Sequence, residues 1–200
     1  MTISRTLMWQ RDDGAEWCDL RLDADRLAAT GVQLGSAPTP YRVDYRLETA
    51  PGFATTEIRL RSSGAGWQHL LTLRRFPDGV WTVEASEYGA GPGSPGCDPD
   101  TLHGAADIDL GLSPLTNTLP LRRLSIMSQP AGVPVSIVAA WISVPDLGVR
   151  APTQDYTPLG PGAVRYTQGS FTADLTIDPE GIVTDYPGLA TLSGDATALE

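Results

Sequence analysis

The sequence predicts a mainly β protein built on one large curved sheet, a barrel or a sandwich. Three observations carry that reading. Apolar residues recur with period two, as in Tyr41-Arg42-Val43-Asp44-Tyr45-Arg46-Leu47-Glu48, the pattern of a half-buried strand. Turn signals such as Pro51-Gly52, Pro77-Asp78-Gly79 and Asp178-Pro179-Glu180-Gly181 punctuate the chain at short intervals. No strand pattern leads into a long helical one, which excludes βαβ units and a Rossmann-type fold.

Taken in order, Leu20-Arg21-Leu22-Asp23 alternates first. Residues 24–29, closed by Gly31, read as a short helical candidate. Strands follow at 41–48, 57–61, 68–73 and 80–85. Residues 89–99 (Gly-Ala-Gly-Pro-Gly-Ser-Pro-Gly-Cys-Asp-Pro) bury little and read as a flexible loop. A strand at 108–112 precedes Ser113-Pro114-Leu115-Thr116-Asn117-Thr118-Leu119-Pro120-Leu121-Arg122-Arg123-Leu124. Thr116 to Thr118 offer N-cap oxygens there, and Pro120 suits a first helical turn. Leu121 and Leu124 share a face, so a single short helix is expected near 118–126. Strands at 135–144, 156–159, 164–167, 171–178 and 182–186 complete the pattern, and about 191–200 is expected as a poorly ordered tail. In each alternating segment one face goes to a core and the other to water, as in antiparallel sheets.

The 200 residues are expected to form a single domain, 1–200. Gly (21) and Pro (17) together make 38 of 200 residues, above the roughly 12% of average usage but short of low complexity. All 14 basic residues are arginine, and against 24 carboxylates the net charge is −10. Such a chain repels phosphate backbones and anionic lipid surfaces, so no nucleic acid is expected as a partner. No run approaches the ~18 apolar residues that span a bilayer, so no stable membrane insertion is expected. The N-terminus lacks a signal-peptide core, and a cytoplasmic location is expected. Cys18 and Cys97 are then free thiols, with a disulfide between them the alternative. With only two cysteines and two histidines (His69, His103) a structural zinc site is hard to build, and no metal or cofactor is expected.

Five collinear stretches carry a family resemblance. They are Met8-Trp9 with Glu16; Gly104-Ala105-Ala106-Asp107-Ile108-Asp109-Leu110 with Thr116-Asn117-Thr118-Leu119-Pro120-Leu121-Arg122-Arg123-Leu124; Val138-Ala139-Ala140-Trp141; Gln154-Asp155-Tyr156-Thr157-Pro158-Leu159; and Arg165-Tyr166 through Phe171 to Asp185-Tyr186-Pro187-Gly188. Together they resemble the putative glycolipid-binding family of bacterial proteins over nearly the whole chain. The resemblance implies a spiral β-roll, a many-stranded sheet wrapped around one helix, commonly as a homodimer. Ala105 stands where the family has a cysteine, and Phe53-Ala54-Thr55 replaces its Trp-Arg-Thr stretch.

Asp107 and Asp109 lie two apart and face one side of a strand. Paired carboxylates can do acid/base work, but a structural polar network with Asn117 is the preferred reading. Consecutive helix residues diverge by about 100°, so Arg122 and Arg123 cannot both face one ligand. A buried arginine needs a carboxylate, which pairs Arg122 or Arg123 with Asp107 or Asp109. Trp and Tyr join an apolar face to one polar handle, which suits a cavity mouth. Trp9, Tyr156, Tyr166 and Tyr186, flanked by polar neighbours, are expected at a rim, and Trp141 in the core. The expected function is non-catalytic binding of an amphipathic small molecule, a glycolipid or fatty-acyl compound, in a groove between sheet and helix. The contacts expected are Trp9, Arg122, Arg123, Tyr156, Tyr166 and Tyr186. The alternatives are a hydrolase-like enzyme using Asp107 and Asp109, and a ligand-free structural dimer.

Overall fold

The computed structural model describes residues 2–199. Seven strands follow one another as an antiparallel meander: β1 (Ile3–Arg11), β2 (Gly14–Leu22), β3 (Leu27–Gly35), β4 (Tyr41–Thr49), β5 (Thr55–Gly64), β6 (Trp67–Arg75) and β7 (Trp81–Tyr88). A connecting segment carries β8 (Asp107–Leu110) and the short helix α1 (Thr118–Arg123). The second half holds β9 (Val135–Ile142), β10 (Val149–Arg150), β11 (Thr153–Gly160), β12 (Ala163–Gln168), β13 (Phe171–Ile177), β14 (Val183–Tyr186) and β15 (Ala190–Leu199). All fifteen belong to one sheet, in the order β10-β9-β11-β12-β13-β14-β15-β1-β2-β3-β4-β5-β6-β7, with β8 running parallel to β9 off this path. The sheet is mainly antiparallel and does not close, so it is neither a barrel nor a two-sheet sandwich.

Alternation explains the strands. In β1, Leu7, Trp9 and Arg11 turn inward while Thr6, Met8 and Gln10 face out; in β4, Tyr41, Val43, Tyr45 and Leu47 are inward. The inward residues form two packed clusters, one mostly from β1–β7 and one from β9 and β11–β14. Leu115 and Leu119 enter the first cluster, whereas Leu121 and Ile126 enter the second. The helical segment therefore lies between two halves of one sheet, which must curl around it to bury both sides.

Three expectations are corrected. Residues 24–29 are not helical: Leu27 and Ala29 alternate inward at the start of β3, which is paired on both sides. Gly31 is needed there for close approach, since a Cβ would stand 2.3 Å from the Tyr45 ring. Residues 191–199 of the expected tail belong to β15, laid along β1 opposite 3–10, and residue 200 lies outside the described residues. The expected helix 118–126 is shorter, ending at Arg123; Ser125 has φ +48° before a 3-10 turn at Ile126–Ser128. Thr116 does not cap the helix; its Oγ1 accepts the Leu110 N–H at 3.2 Å. Within 89–99, Gly96 bridges Gly148 and Cys97 packs against the first cluster. Both cysteines are free.

α1 is tied to β8 by charge. Arg123 grips Asp107 in a two-pronged bond, Nε to Oδ1 at 2.9 Å and Nη2 to Oδ2 at 2.6 Å. Burial still outweighs the guanidinium and holds the Asp107 carboxyl above its usual range. Removing one partner strands the other out of water. Arg123→Ala is expected to lower unfolding free energy by roughly 3–5 kcal/mol in urea titration. A loss within the error of the wild-type curve would show that the pair does not anchor α1.

Candidate functional site

A groove of about 410 Å³ opens between β8 with its lead into α1 and the second half of the sheet. Its size lies within the range of about 300–1,000 Å³ typical of small-molecule sites. Asp109 lies at its base, in register with Trp141 on the neighbouring β9. The Asp109 carboxylate accepts from Gln154 Nε2 at 2.5 Å and from Thr116 Oγ1 at 3.4 Å. The Tyr166 hydroxyl donates to Gln168 Oε1 at 2.6 Å and lies 3.4 Å from Asp109 Oδ2. Burial raises the Asp109 pKa to about 6, against the pull of these donors and of Arg150. Burial likewise raises the Tyr166 and Tyr186 hydroxyls, with the Asp109 charge adding to it.

The walls are aromatic. Tyr166 meets Tyr156, Phe171 and Tyr186 edge to face, at centroid distances of 5.3, 6.1 and 6.1 Å. Across the groove, the Arg150 guanidinium stacks 4.2 Å from the Trp141 ring centroid, a cation–π contact. Pairing of β10 with β9 places Arg150 directly opposite Trp141. Leu112, Val144 and Leu189 supply apolar rim. Leu112, Tyr186 and Leu189 also line an adjoining pocket that continues towards Arg11, Asp12, Asp13 and Asp185.

The expected site residues fall in different places. Tyr166 and Tyr186 line the groove, with Asp109 and Asn117. Tyr156 is buried beneath it, its hydroxyl donating to Asn117 Oδ1 at 3.0 Å. Trp9 is wholly buried in the core, its indole N–H bonded to the Val183 carbonyl at 2.7 Å. It was expected at a rim because of its polar neighbours, but on a strand those neighbours face the opposite side. Arg122 bonds the Glu180 carbonyl at 2.7 Å and lies over Phe53. Arg123 is held by Asp107. Neither arginine is among the groove-lining residues. Trp141, expected in the core, is instead half-buried and faces the groove. The sequence reading missed Arg150 and Gln168; Gln168 lies two residues past Tyr166 on one strand, a spacing that could have revealed it. Among the described residues, no cluster of three or more His, Cys, Asp or Glu could hold a metal ion, and no helix is long and apolar enough to cross a membrane.

Residues 6–191 match the family described as "Putative glycolipid-binding", and the chain belongs to that family. It is similar to the crystal structure of a DUF1089 family protein from Pseudomonas aeruginosa, with 32% identity and a TM-score of 0.69. That likeness covers 88% of this chain and 91% of the other. No curated protein matches the sequence.

The groove predicts a pH signature. Asp109 holds its proton more tightly when folded (about 6) than at its ordinary value of 3.8. Its contribution to stability is therefore complete below about pH 3.8, declines as pH rises towards about 6, and stays lost above that. Urea titrations of wild type and Asp109→Asn are expected to show the wild type losing ground to the variant across that window. A stability difference independent of pH there would contradict the placement of a raised carboxyl at the groove base.

Proposed function

We propose that this protein binds a glycolipid or related amphipathic molecule without chemical turnover. Its polar head would occupy the groove around Asp109. The observation that carries the reading is the combination of a protonatable carboxyl and an amide at the base with aromatic walls on both sides. Sugar rings offer apolar C–H faces that stack on aromatic rings, and hydroxyls that pair with planar carboxyl and amide groups. Trp141 and Tyr166 supply the faces; Asp109, Gln168 and Asn117 supply the polar partners. The spiral interior is filled by Leu115, Leu119, Leu121 and Ile126, so the acyl part lies along the Leu112, Val144 and Leu189 rim rather than in an internal cavity. Burial there contributes about 25 cal/mol per Å².

The non-catalytic reading is supported by the state of Asp107. Acid/base hydrolysis of a glycosidic bond commonly needs two working carboxyl groups. Asp107 is gripped by Arg123 and buried away from the groove. Tyr166 and Gln154 leave Asp109 as a hydrogen-bonding group without that partner.

Calorimetric titration with n-dodecyl maltoside below its micelle concentration tests this. Saturable binding is expected, weakened at least about tenfold by Trp141→Ala, as for a central aromatic anchor. Absence of saturable heat, or equal affinity in Trp141→Ala, would remove the groove as the site.

A further inference from the structure

The groove wall at 111–113 is held from behind by three inward side chains on successive strands. Arg11 on β1 donates to the Leu112 carbonyl at 3.1 Å. Glu16 on β2 accepts from Ser113 Oγ at 2.7 Å. Gln33 on β3 donates through Nε2 to the Gly111 carbonyl at 3.3 Å. Three consecutive residues are thus each tied to a different strand. The segment needs such ties, because Leu112 has φ +64°, a backbone state that a residue with a Cβ adopts at a cost.

Glu16 and Gln33 are both completely buried and stand directly opposite each other on β2 and β3. Their polar atoms leave a specific mismatch. Glu16 Oε1 accepts from Tyr45 OH at 2.6 Å and from Ser113 Oγ at 2.7 Å. Glu16 Oε2 has no partner, and neither has Gln33 Oε1. Two acceptors cannot satisfy each other. Turning the Gln33 amide would not help, since its oxygen would then face the Gly111 carbonyl. One proton resolves both atoms at once.

We propose that Glu16 is a neutral carboxylic acid whose Oε2–H donates to Gln33 Oε1, making this pair the positioning device of the groove wall. The groups facing Glu16 agree. Arg11 is the nearby cation, and its guanidinium is engaged with Leu112, Leu34 and Asp13. Tyr45 and Cys18 present hydroxyl and thiol groups that burial keeps protonated. Burial disfavours the ionised carboxylate here more than Arg11 and the hydrogen-bond donors favour it. Burial raises the Glu16 pKa to about 7. Deprotonation above that value sets two bare oxygens against each other and loosens the tie through Gln33 to Gly111. The effect on ligand binding rests on the groove being the ligand site; the shared proton does not.

Infrared spectroscopy of protein labelled with ¹³C-glutamate tests the proton directly. At about pH 6 a protonated-carboxyl stretch from one glutamate is expected, fading as pH passes about 7. Glu16→Gln, which keeps the acceptor for Tyr45 and Ser113 and supplies an N–H to Gln33, should lack the band and remain folded. Amide exchange then reads the wall, through the Gly111 N–H bonded to Ile142 and the Ser113 N–H bonded to Leu110. After correction for intrinsic rates, wild-type protection at these amides should fall about threefold or more between about pH 6 and 8.5. In Glu16→Gln it should stay level. A spectrum without the band at about pH 6 overturns the proposal even if the variant misfolds, and so does equal pH dependence in both proteins. Neither readout involves n-dodecyl maltoside, so a failed titration would strike the proposed function and leave this pair standing.

Discussion

The antiparallel pairing of β1 with β15 is the joint on which the rest of the molecule depends. It brings the first strand of the chain to the middle of the sheet and makes one surface of two meanders. Without it, β1 and β15 would each present an unpaired edge. The closing loop is nearly the whole chain, yet its entropy rises only with the logarithm of length, and a long ladder offsets it. Arg5 reinforces the joint from β1: it is almost fully buried, bonds Asp195 on β15 at 2.7 Å, and also reaches Asp178 in the turn after β13.

Once the halves are joined, the segment between them has nowhere to go but inside. β8 adds to β9 in parallel, and α1 divides its leucines between the two clusters. The groove is the seam this arrangement leaves. Its base comes from the enclosed segment and its walls from the surrounding sheet, so its side chains come from parts of the chain far apart in sequence.

Three carboxyl groups turn inward around this seam, and each meets burial differently. Asp107 is matched by a guanidinium. Asp109 is matched by amide and hydroxyl groups and retains access to the groove. Glu16 is matched on one oxygen only, by two hydroxyls. The first arrangement ties secondary structure together, the second gives the groove a polar base, and the third braces the wall from within. A buried carboxyl is costly unless its surroundings compensate it, and here the kind of compensation differs between the two that fix structure and the one that faces the groove.

Much of this was legible in the sequence, because period-two alternation is a local property. The run 41–48 specified β4 and its inward face, and Pro120 near Leu121 located α1. Arginine pairing with a carboxylate in the 107–109 region followed from the cost of burying charge, although only the structure chose Arg123 with Asp107. Alternation also contained what polar-neighbour reasoning overlooked in Trp9, whose inward face followed from Leu7 and Arg11. What no local pattern held was the partner across the fold. Trp141 faces the groove with Arg150 returning on β10 to stack on it, and residues 191–199 form a strand because β1 offers them an edge. The sequence by itself determined strands with clear alternation, such as 41–48, and which of their faces is apolar, since neighbouring side chains enforce both. The tertiary structure alone decided which strands meet, and therefore which polar groups gather around Asp109 and Glu16, since those contacts join residues separated by much of the chain.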